Sequence, residues 1–258
     1  MSDALHAEWT KLRTLPGTMW VLLGILALTV GLSAVVTAVT RYGSPGASPD
    51  LTKLSLSGID LSQALVAMFA VLAVSGEYST GMIRITLTAV PRRWTVLGAK
   101  AIVIGGLTLA VGTLGVFGAL LVGRLFLLGN GFTAAHGYAA PSLAEGSTLR
   151  AAIGSVLYLT LIALLSLGIA AALRESAVAI GAVLGLLYFF PIVAAAIGDA
   201  TWRRHMTQIG PMTAGLEIQS TVNTAGLPIS PWAGLGVLAL WAAGSLACGG
   251  LALRLRDA

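Results

Sequence analysis

Charged residues are scarce in this sequence, and their scarcity excludes a soluble globular domain. Asp, Glu, Lys and Arg make up 10% of the 258 residues and hydrophobic residues make up 57%, whereas soluble domains carry about 25% charged residues. Lipid must therefore be the main solvent of this chain. The only cysteine, Cys248, excludes an intrachain disulfide, and we interpret it as a small packing residue.

The sequence also lacks the motifs of several enzyme classes. It contains no Gly-x-x-x-x-Gly-Lys-Ser/Thr string, which excludes ATP hydrolysis by a P-loop within this chain. His6, His136 and His205 lie outside the apolar runs and lack the spacing of metal ligands. The runs hold no charged residue near their centres, which disfavours an ion-coupled carrier. We therefore expect no catalytic, metal-binding or cofactor-binding residue, and any transport must take its energy from a partner.

Apolar runs of about 20 residues, the length that spans a bilayer as a helix, recur six times. We predict an all-α, polytopic transmembrane bundle that forms one domain over residues 1–258. The first run holds 24 residues, which is too long for the core of a signal peptide. The predicted spans are Gly17–Thr40, Ile59–Gly76, Ala101–Leu128, Ala151–Leu173, Ala177–Gly198 and Trp232–Leu253.

The basic residues predict the orientation of the spans. The net charge of +5 favours basic loops beside a membrane over nucleic-acid binding, because loops retained in the cytoplasm are enriched in Lys and Arg. With the N-terminus inside, nine basic residues lie on the inner side and six on the outer side. We therefore expect both termini to be cytoplasmic.

Residues 1–16 are predicted to form an amphipathic helix along the inner membrane surface. Leu5, Trp9 and Leu12 fall at i, i+4 and i+7 on one face, whereas Glu8 and Lys11 lie off that face. An ordinary basic flank with incidental apolar residues is the alternative.

The linker between the second and third spans, residues 77–100, carries exposed apolar residues and poorly placed charges. Glu77 at the end of one helix, and Arg92 and Arg93 at the start of the next, oppose the helix dipole. We expect these charges to have partners elsewhere, either each other or another protein.

Other features concern helix packing and helix ends. Pro191 kinks or weakens the fifth span, as a hinge or an inert kink. Asp60 is expected to cap the second span, with Gln63 reaching back to the cap. Small residues at every fourth position predict close packing within one subunit or between two subunits. They are Gly115, Ala119 and Gly123 in the third span, and Ala177, Gly181 and Gly185 in the fifth.

Two motifs resemble those of the membrane subunits of ABC exporters of the type-2 permease family. The first is Trp-x-Lys-x-x-Thr (Trp9, Lys11, Thr14). The second is Gly-Glu-x-x-x-Gly-x-Ile-Arg-x-x-Leu-x-x-x-Pro-x-Arg, which starts at Gly76 and is followed by Lys100.

The resemblance covers essentially the whole chain, and it implies roles for both segments. It makes the N-terminal helix an interface helix (Leu5, Trp9, Lys11, Leu12) and the linker a coupling helix that docks on a separate ATPase, which binds ATP and Mg. The coupling residues that it implies are Glu77, Gly81, Met82, Ile83, Arg84, Leu87, Arg92 and Arg93. It also implies a dimer of membrane subunits, homomeric or heteromeric, and short re-entrant helices within residues 199–231. A plain surface loop is the alternative for that last segment.

These features predict a permease subunit of an ATP-driven exporter in the bacterial cell membrane. The uncharged spans favour an amphipathic or hydrophobic cargo, and lipid, drug, peptide and polysaccharide all stay open. One alternative is a membrane module without transport activity, such as a sensor or assembly factor associated with an ATPase. The other is a membrane-embedded enzyme, which requires convergent polar groups at one depth.

Overall fold

The computed structural model is helical and contains no strand in the part of the chain that it describes, residues 2–14, 16–42, 49–79, 81–82, 93–133, 138 and 141–255. We number the ten helices of these described residues in chain order. They are α1 (Ser2–Thr14), α2 (Pro16–Val39), α3 (Leu51–Ser55), α4 (Ile59–Ser79), α5 (Arg93–Gly129), α6 (Gly146–Leu173), α7 (Ser176–Ala196), α8 (Ala200–Ile209), α9 (Pro211–Leu216) and α10 (Pro231–Leu255). Two short 3-10 turns, Glu217–Gln219 and Thr224–Gly226, precede α10.

Six of these helices, α2, α4, α5, α6, α7 and α10, are long and apolar enough to span a membrane. Their number and their order along the chain confirm the predicted all-α bundle with six spans. Helices suit this environment because they satisfy every internal backbone N–H and C=O without water.

The third span differs from the prediction. It was expected to begin at Ala101, but α5 begins at Arg93 and continues without a break to Gly129, over 37 residues. At 1.5 Å per residue its length is roughly 55 Å, well beyond a hydrocarbon core of about 30 Å. Hydropathy places the apolar part of a helix, whereas the helix itself continues for as long as its backbone hydrogen bonds do. The last eight residues of the predicted linker therefore form the base of α5.

Successive spans run in opposite directions and give the bundle two ends. At one end the guanidinium of Arg174, just after α6, donates to the carbonyl of Ala252 at 3.3 Å. At the same end the hydroxyl of Ser176, at the start of α7, lies 2.7 Å from that of Ser75 in α4. This end also carries α1, and we name it the α1 end. The opposite end carries α3, α8 and α9, and we name it the α3 end.

Helices α4 and α6 form the centre of the bundle. In each of these helices, 56% of the residues of the most apolar stretch are buried, compared with 22% in α2 and in α7. Helix α6 packs closely against α10. This contact requires glycine at position 168, because a Cβ added there would lie 2.5 Å from the backbone nitrogen of Leu246. Helices α2 and α7, with their low buried share, lie at the periphery of the bundle and expose broad faces.

The two small-residue stripes have different surroundings. A Cβ added at Gly115 would lie 3.3 Å from Thr29 in α2, and one at Gly123 would lie 2.5 Å from Ser55 Cβ in α3. Ala119 is fully buried between them in sequence. The α5 stripe thus packs within the chain. No atom lies within 4 Å of a Cβ built on Gly181 or Gly185, so those two glycines of the α7 stripe face open space.

Pro191 lies inside α7, and the helix continues through it from Ser176 to Ala196. The first turn of α7 is capped by Glu175, whose carboxylate accepts from the N–H groups of Ala177 and Val178. The proline removes one backbone donor without ending the helix, and a hinge at this position stays a prediction.

Candidate functional site: a charge cluster at the α1 end

The N-terminal segment is helical, and one side of it packs against the bundle. Leu12 is 7% exposed and Leu5 packs against the core, whereas Trp9 is 46% exposed. Glu8, expected off the apolar face, is 5% exposed. Ala4, Glu8 and Leu12 follow one another at i, i+4 and i+8 and share a face. Glu8 therefore faces the bundle, where Lys100 of α5 lies 2.8 Å from its carboxylate.

Four charged side chains from three helices meet at this point, and we call them the charge cluster: Glu8 and Lys11 of α1, Glu77 of α4 and Lys100 of α5. Lys100 Nζ lies 2.8 Å from Glu8 and 2.6 Å from Glu77. Lys11 Nζ lies 2.9 Å from each of the same two carboxylates. The cluster therefore pairs two negative with two positive charges.

The charge cluster is largely withdrawn from solvent. The side chains of Lys100, Glu8 and Glu77 are 3%, 7% and 9% exposed, and that of Lys11 is 23% exposed. Removing charges from water is costly unless each charge is paired and hydrogen-bonded. Each lysine here contacts both carboxylates, so the four groups compensate one another.

The Lys11 amine is affected both by burial and by its partners. Burial by itself lowers the pKa of Lys11, but its hydrogen bonds to Glu77 and Glu8, together with their negative charges, outweigh that effect. The pKa is raised above its ordinary value of 10.5. Lys11 is therefore held in its charged form, as the pairing requires.

The unfavourable position of Glu77 at the end of α4 predicted a partner away from its own helix, and the structure provides one. Its partners come from α1 and α5, and they include Lys11, which had been assigned to the interface helix. Lys100 follows the second sequence motif, but nothing in the local pattern brought Glu8 together with Glu77 and Lys100.

Two arginines join the end of α10 to neighbouring helices. Arg93, the first residue of α5, donates to the carbonyl of Leu253. Arg174 donates to the carbonyl of Ala252 and lies with Cζ 5.5 Å from the centre of the Tyr78 ring. The last carbonyls of a helix lack partners within the helix and carry partial negative charge. These arginines therefore stabilise the end of α10 while connecting it to α4, α5 and α6.

Only the two edges of the predicted coupling segment belong to the described residues. Gly81 follows the end of α4 with φ of +71°, a conformation that glycine adopts at little cost. Met82 beside it is 42% exposed. Ile83, Arg84, Leu87 and Arg92 lie outside the described residues, and their coupling role stays a prediction.

The segment between α7 and α10 turns back along the bundle at the α3 end. Asp199 caps α8, accepting from the N–H groups of Thr201 and Trp202 at 2.9 Å. The indole N–H of Trp241 donates to the carbonyl of Ile209 at 3.0 Å. Because Trp241 is ten residues into α10, the tip of the α8–α9 hairpin lies roughly 15 Å along that helix from its start.

Glycines allow the hairpin to pack this closely. A Cβ added at Gly215 would lie 2.7 Å from the ring of Tyr158, and one at Gly154 would lie 3.0 Å from Ile218 Cδ1. The chain from α9 to the first 3-10 turn thus contacts the interior of α6. The same segment is held from outside by Asp50, whose carboxylate accepts from the Thr221 hydroxyl at 2.7 Å and the Val222 N–H at 3.1 Å.

The structure does not contain the helix cap that was predicted for the second span. Helix α4 begins at Ile59, so Asp60 lies in its first turn rather than before it. Gln63 is fully buried; its amide donates to the Asp60 carbonyl at 2.8 Å, and its Oε1 accepts from the Tyr158 hydroxyl. Gln63 pairs with Tyr158 of α6 instead of completing a capping box, because leaving an amide unpaired in the bundle interior costs free energy.

Within the described ranges, no three His, Cys, Asp or Glu side chains are grouped so that they hold a metal ion. The chain matches no protein-family model and no curated protein.

Proposed function

We propose that this chain is the membrane subunit of an ATP-driven exporter of the type-2 ABC permease kind, and that a separate ATPase docks on the linker between α4 and α5. The observation that carries the proposal is the charge cluster, which connects α1 to the two helices flanking that linker. The two sequence motifs support it, since Lys11, Glu77 and Lys100 belong to both the motifs and the cluster.

The cluster gives a physical route from the linker to the spans. A force on residues 80–92 acts on the end of α4 and the start of α5, and the cluster couples both to α1. Arg93 and Arg174 extend the connection to α6 and α10. ATP binding to the partner, with its Mg, would supply the force, and this base of the bundle would move as one body.

The distribution of basic residues supports a cytoplasmic location for the α1 end, which is where the separate ATPase would bind. By their order in the sequence relative to the six spans, nine of the 15 basic residues fall on the α1 side and six on the α3 side. Retention of basic loops in the cytoplasm would put both termini on the cytoplasmic side of a bacterial cell membrane. The open face of α7 at Gly181 and Gly185 suits a second membrane subunit, since small residues permit close helix contact in lipid.

The test is recovery of the ATPase with the tagged chain from membranes of its own host. The variant Ile83→Asp with Leu87→Asp should lose it, because full burial of each side chain contributes about 1.5–3 kcal/mol. Losing both weakens binding by roughly two powers of ten or more. The readouts are peptide mass spectrometry of the recovered proteins and ATP hydrolysis by the purified complex.

A matched double variant controls for charge on an exposed surface. Trp202→Asp with Val222→Asp changes two residues at the α3 end that are 62% and 48% exposed, and it should keep the ATPase. Membrane abundance of both variants is measured in parallel. Undiminished recovery and ATP hydrolysis in the linker variant would overturn the docking assignment, as would the absence of any ATPase with the unaltered chain.

A further inference from the structure

A cleft of about 840 Å³ lies between α7 and α10. The second half of α6 forms its floor, and the tip of the α8–α9 hairpin closes it toward the α3 end. None of the described residues that line it is charged. Representative lining residues are Leu165 and Gly168 of α6, Ala182 and Leu186 of α7, and Gly244 and Cys248 of α10.

Three of the polar side chains that line the cleft already donate hydrogen bonds within the chain. The Trp241 N–H donates to the Ile209 carbonyl at 3.0 Å, and the Ser245 hydroxyl donates to the Ala242 carbonyl at 2.8 Å. The Gln208 amide donates to the Pro228 carbonyl at 2.6 Å. A ligand that needs hydrogen bonds would lose those it makes to water and gain few in return. The cleft therefore suits hydrocarbon.

Its length equals about the depth of one leaflet, and its α10 lining is centred on the middle of that helix. On α10 the lining runs from Val237 to Cys248, and eleven steps of 1.5 Å give roughly 16 Å. Half of a hydrocarbon core is about 15 Å thick. On α6 the lining reaches Leu173, the last residue of the helix, so the cleft extends toward the α1 end. Leu240 on its rim is 74% exposed, and the cleft is open sideways between two spans.

We propose that this cleft binds the acyl chain of a membrane lipid, which enters sideways from the leaflet on the α1 side. Three observations select this occupant: an uncharged lining with engaged polar groups, a length of one leaflet, and a lateral opening among membrane-spanning helices. Lipid binding at this site requires neither ATP nor a partner protein, so the test of this proposal is independent of the exporter proposal.

Photo-cross-linking tests the site with the purified chain in phosphatidylcholine nanodiscs. The probe is phosphatidylcholine with a diazirine in one acyl chain, added as a minor component. A zwitterionic lipid avoids attraction to the basic residues. Adducts at cleft positions such as Leu186 and Cys248 should saturate as the probe fraction rises, because a site fills. Adducts at the exposed residue Leu114, which is 63% exposed, should rise in proportion to the probe.

Glycines of α10 provide a matched pair of variants. A Cβ at Gly244 and one at Gly236 each meet no atom within 4 Å, but only Gly244 lines the cleft. Gly244→Phe should reduce the saturable adduct roughly tenfold, the effect of displacing about two methylenes. Gly236→Phe should leave it unchanged. Ala182→Phe on the opposite wall, again compared with Gly236→Phe, repeats the comparison if Gly244→Phe does not fold.

Two results would overturn the proposal. One is adduct formation at Leu186 and Cys248 that rises linearly with probe, or that survives both cleft-filling variants. The other is efficient Cys248–Cys248 cross-linking between two copies of the chain without a saturable lipid adduct, which would make the cleft a subunit interface.

Discussion

Removing Lys100 from the charge cluster is the sharpest perturbation that the structure offers. Lys100→Met keeps the length and the apolar stem of the side chain but deletes its charge. The carboxylates of Glu8 and Glu77, which Lys100 contacts at 2.8 and 2.6 Å, are then left with Lys11 as their one described counter-charge. Within the charge cluster, two mostly buried negative charges would then share a single positive charge.

Breaking a buried ion pair by removing one partner typically costs about 3–5 kcal/mol. Lys100 is 3% exposed, so solvent screens little of this loss. The cost falls on the docking of α1, because an undocked α1 lets Glu8 return to water. A loss of about 3–5 kcal/mol raises the undocked population by roughly two to three and a half powers of ten.

Limited trypsin digestion reports this population, since cleavage of a transiently open segment follows its equilibrium population when opening is fast. Cleavage after Arg13 is measured in detergent by the release of the N-terminal peptide. Arg13→Met would remove the cleavage site, so the matched surface control is Arg254→Met, at an exposed position in the last turn of α10. Lys100→Met should speed cleavage strongly, and Arg254→Met should leave it near the unaltered rate.

Adding Glu8→Gln to Lys100→Met removes one of the two unbalanced carboxylates and leaves Glu77 with Lys11. The double variant should therefore be less open than the sum of the two single changes predicts, with a coupling of about 0.5–3 kcal/mol. If Lys100→Met leaves the cleavage rate unchanged, or if the two changes are additive, the cluster does not hold α1 in place and the route from linker to spans fails.

Two further predictions concern packing and orientation. Gly168→Val should lower the thermal midpoint of the purified chain, because overpacking costs about 1–3 kcal/mol or more. Gly181→Val, where no atom lies within 4 Å, should not lower it; equal midpoints would contradict the close contact of α6 with α10. In a Cys248→Ala background, single cysteines at Ser48 and Ser142 should react with an impermeant thiol reagent added to intact cells, and one at Thr88 should not. Labelling of Thr88 from outside would reverse the assigned orientation.

Local sequence patterns were sufficient for the six spans but not for the face that α1 buries. The pattern placed Glu8 off the apolar face of Leu5, Trp9 and Leu12, and it gave no sign that Glu8 would be buried against the bundle. Hydrophobic periodicity treats a carboxylate as a surface residue. The periodicity contains no information about Lys100, which lies 92 residues away and supplies the counter-charge for buried Glu8.

The two small-residue stripes show the same limit. Their spacing is identical, so the sequence left packing within the chain and packing between chains open for both. The α5 stripe contacts α2 and α3, whereas Gly181 and Gly185 of α7 meet nothing within 4 Å. The order and rotation of the helices in the bundle decide which stripe is covered, and four-residue spacing encodes neither.

The sequence by itself determined that this chain forms six membrane-spanning helices. Runs of about 20 apolar residues with few charges have no stable alternative in lipid, because only the helix satisfies the backbone of an isolated segment there. The tertiary structure alone decided that Glu8, Lys11, Glu77 and Lys100 form one cluster, that Gln63 pairs with Tyr158, and that α6, α7, α10 and the α8–α9 hairpin enclose a cleft. These contacts join residues far apart in the chain, and their energies depend on distances and burial that appear only when the helices are assembled.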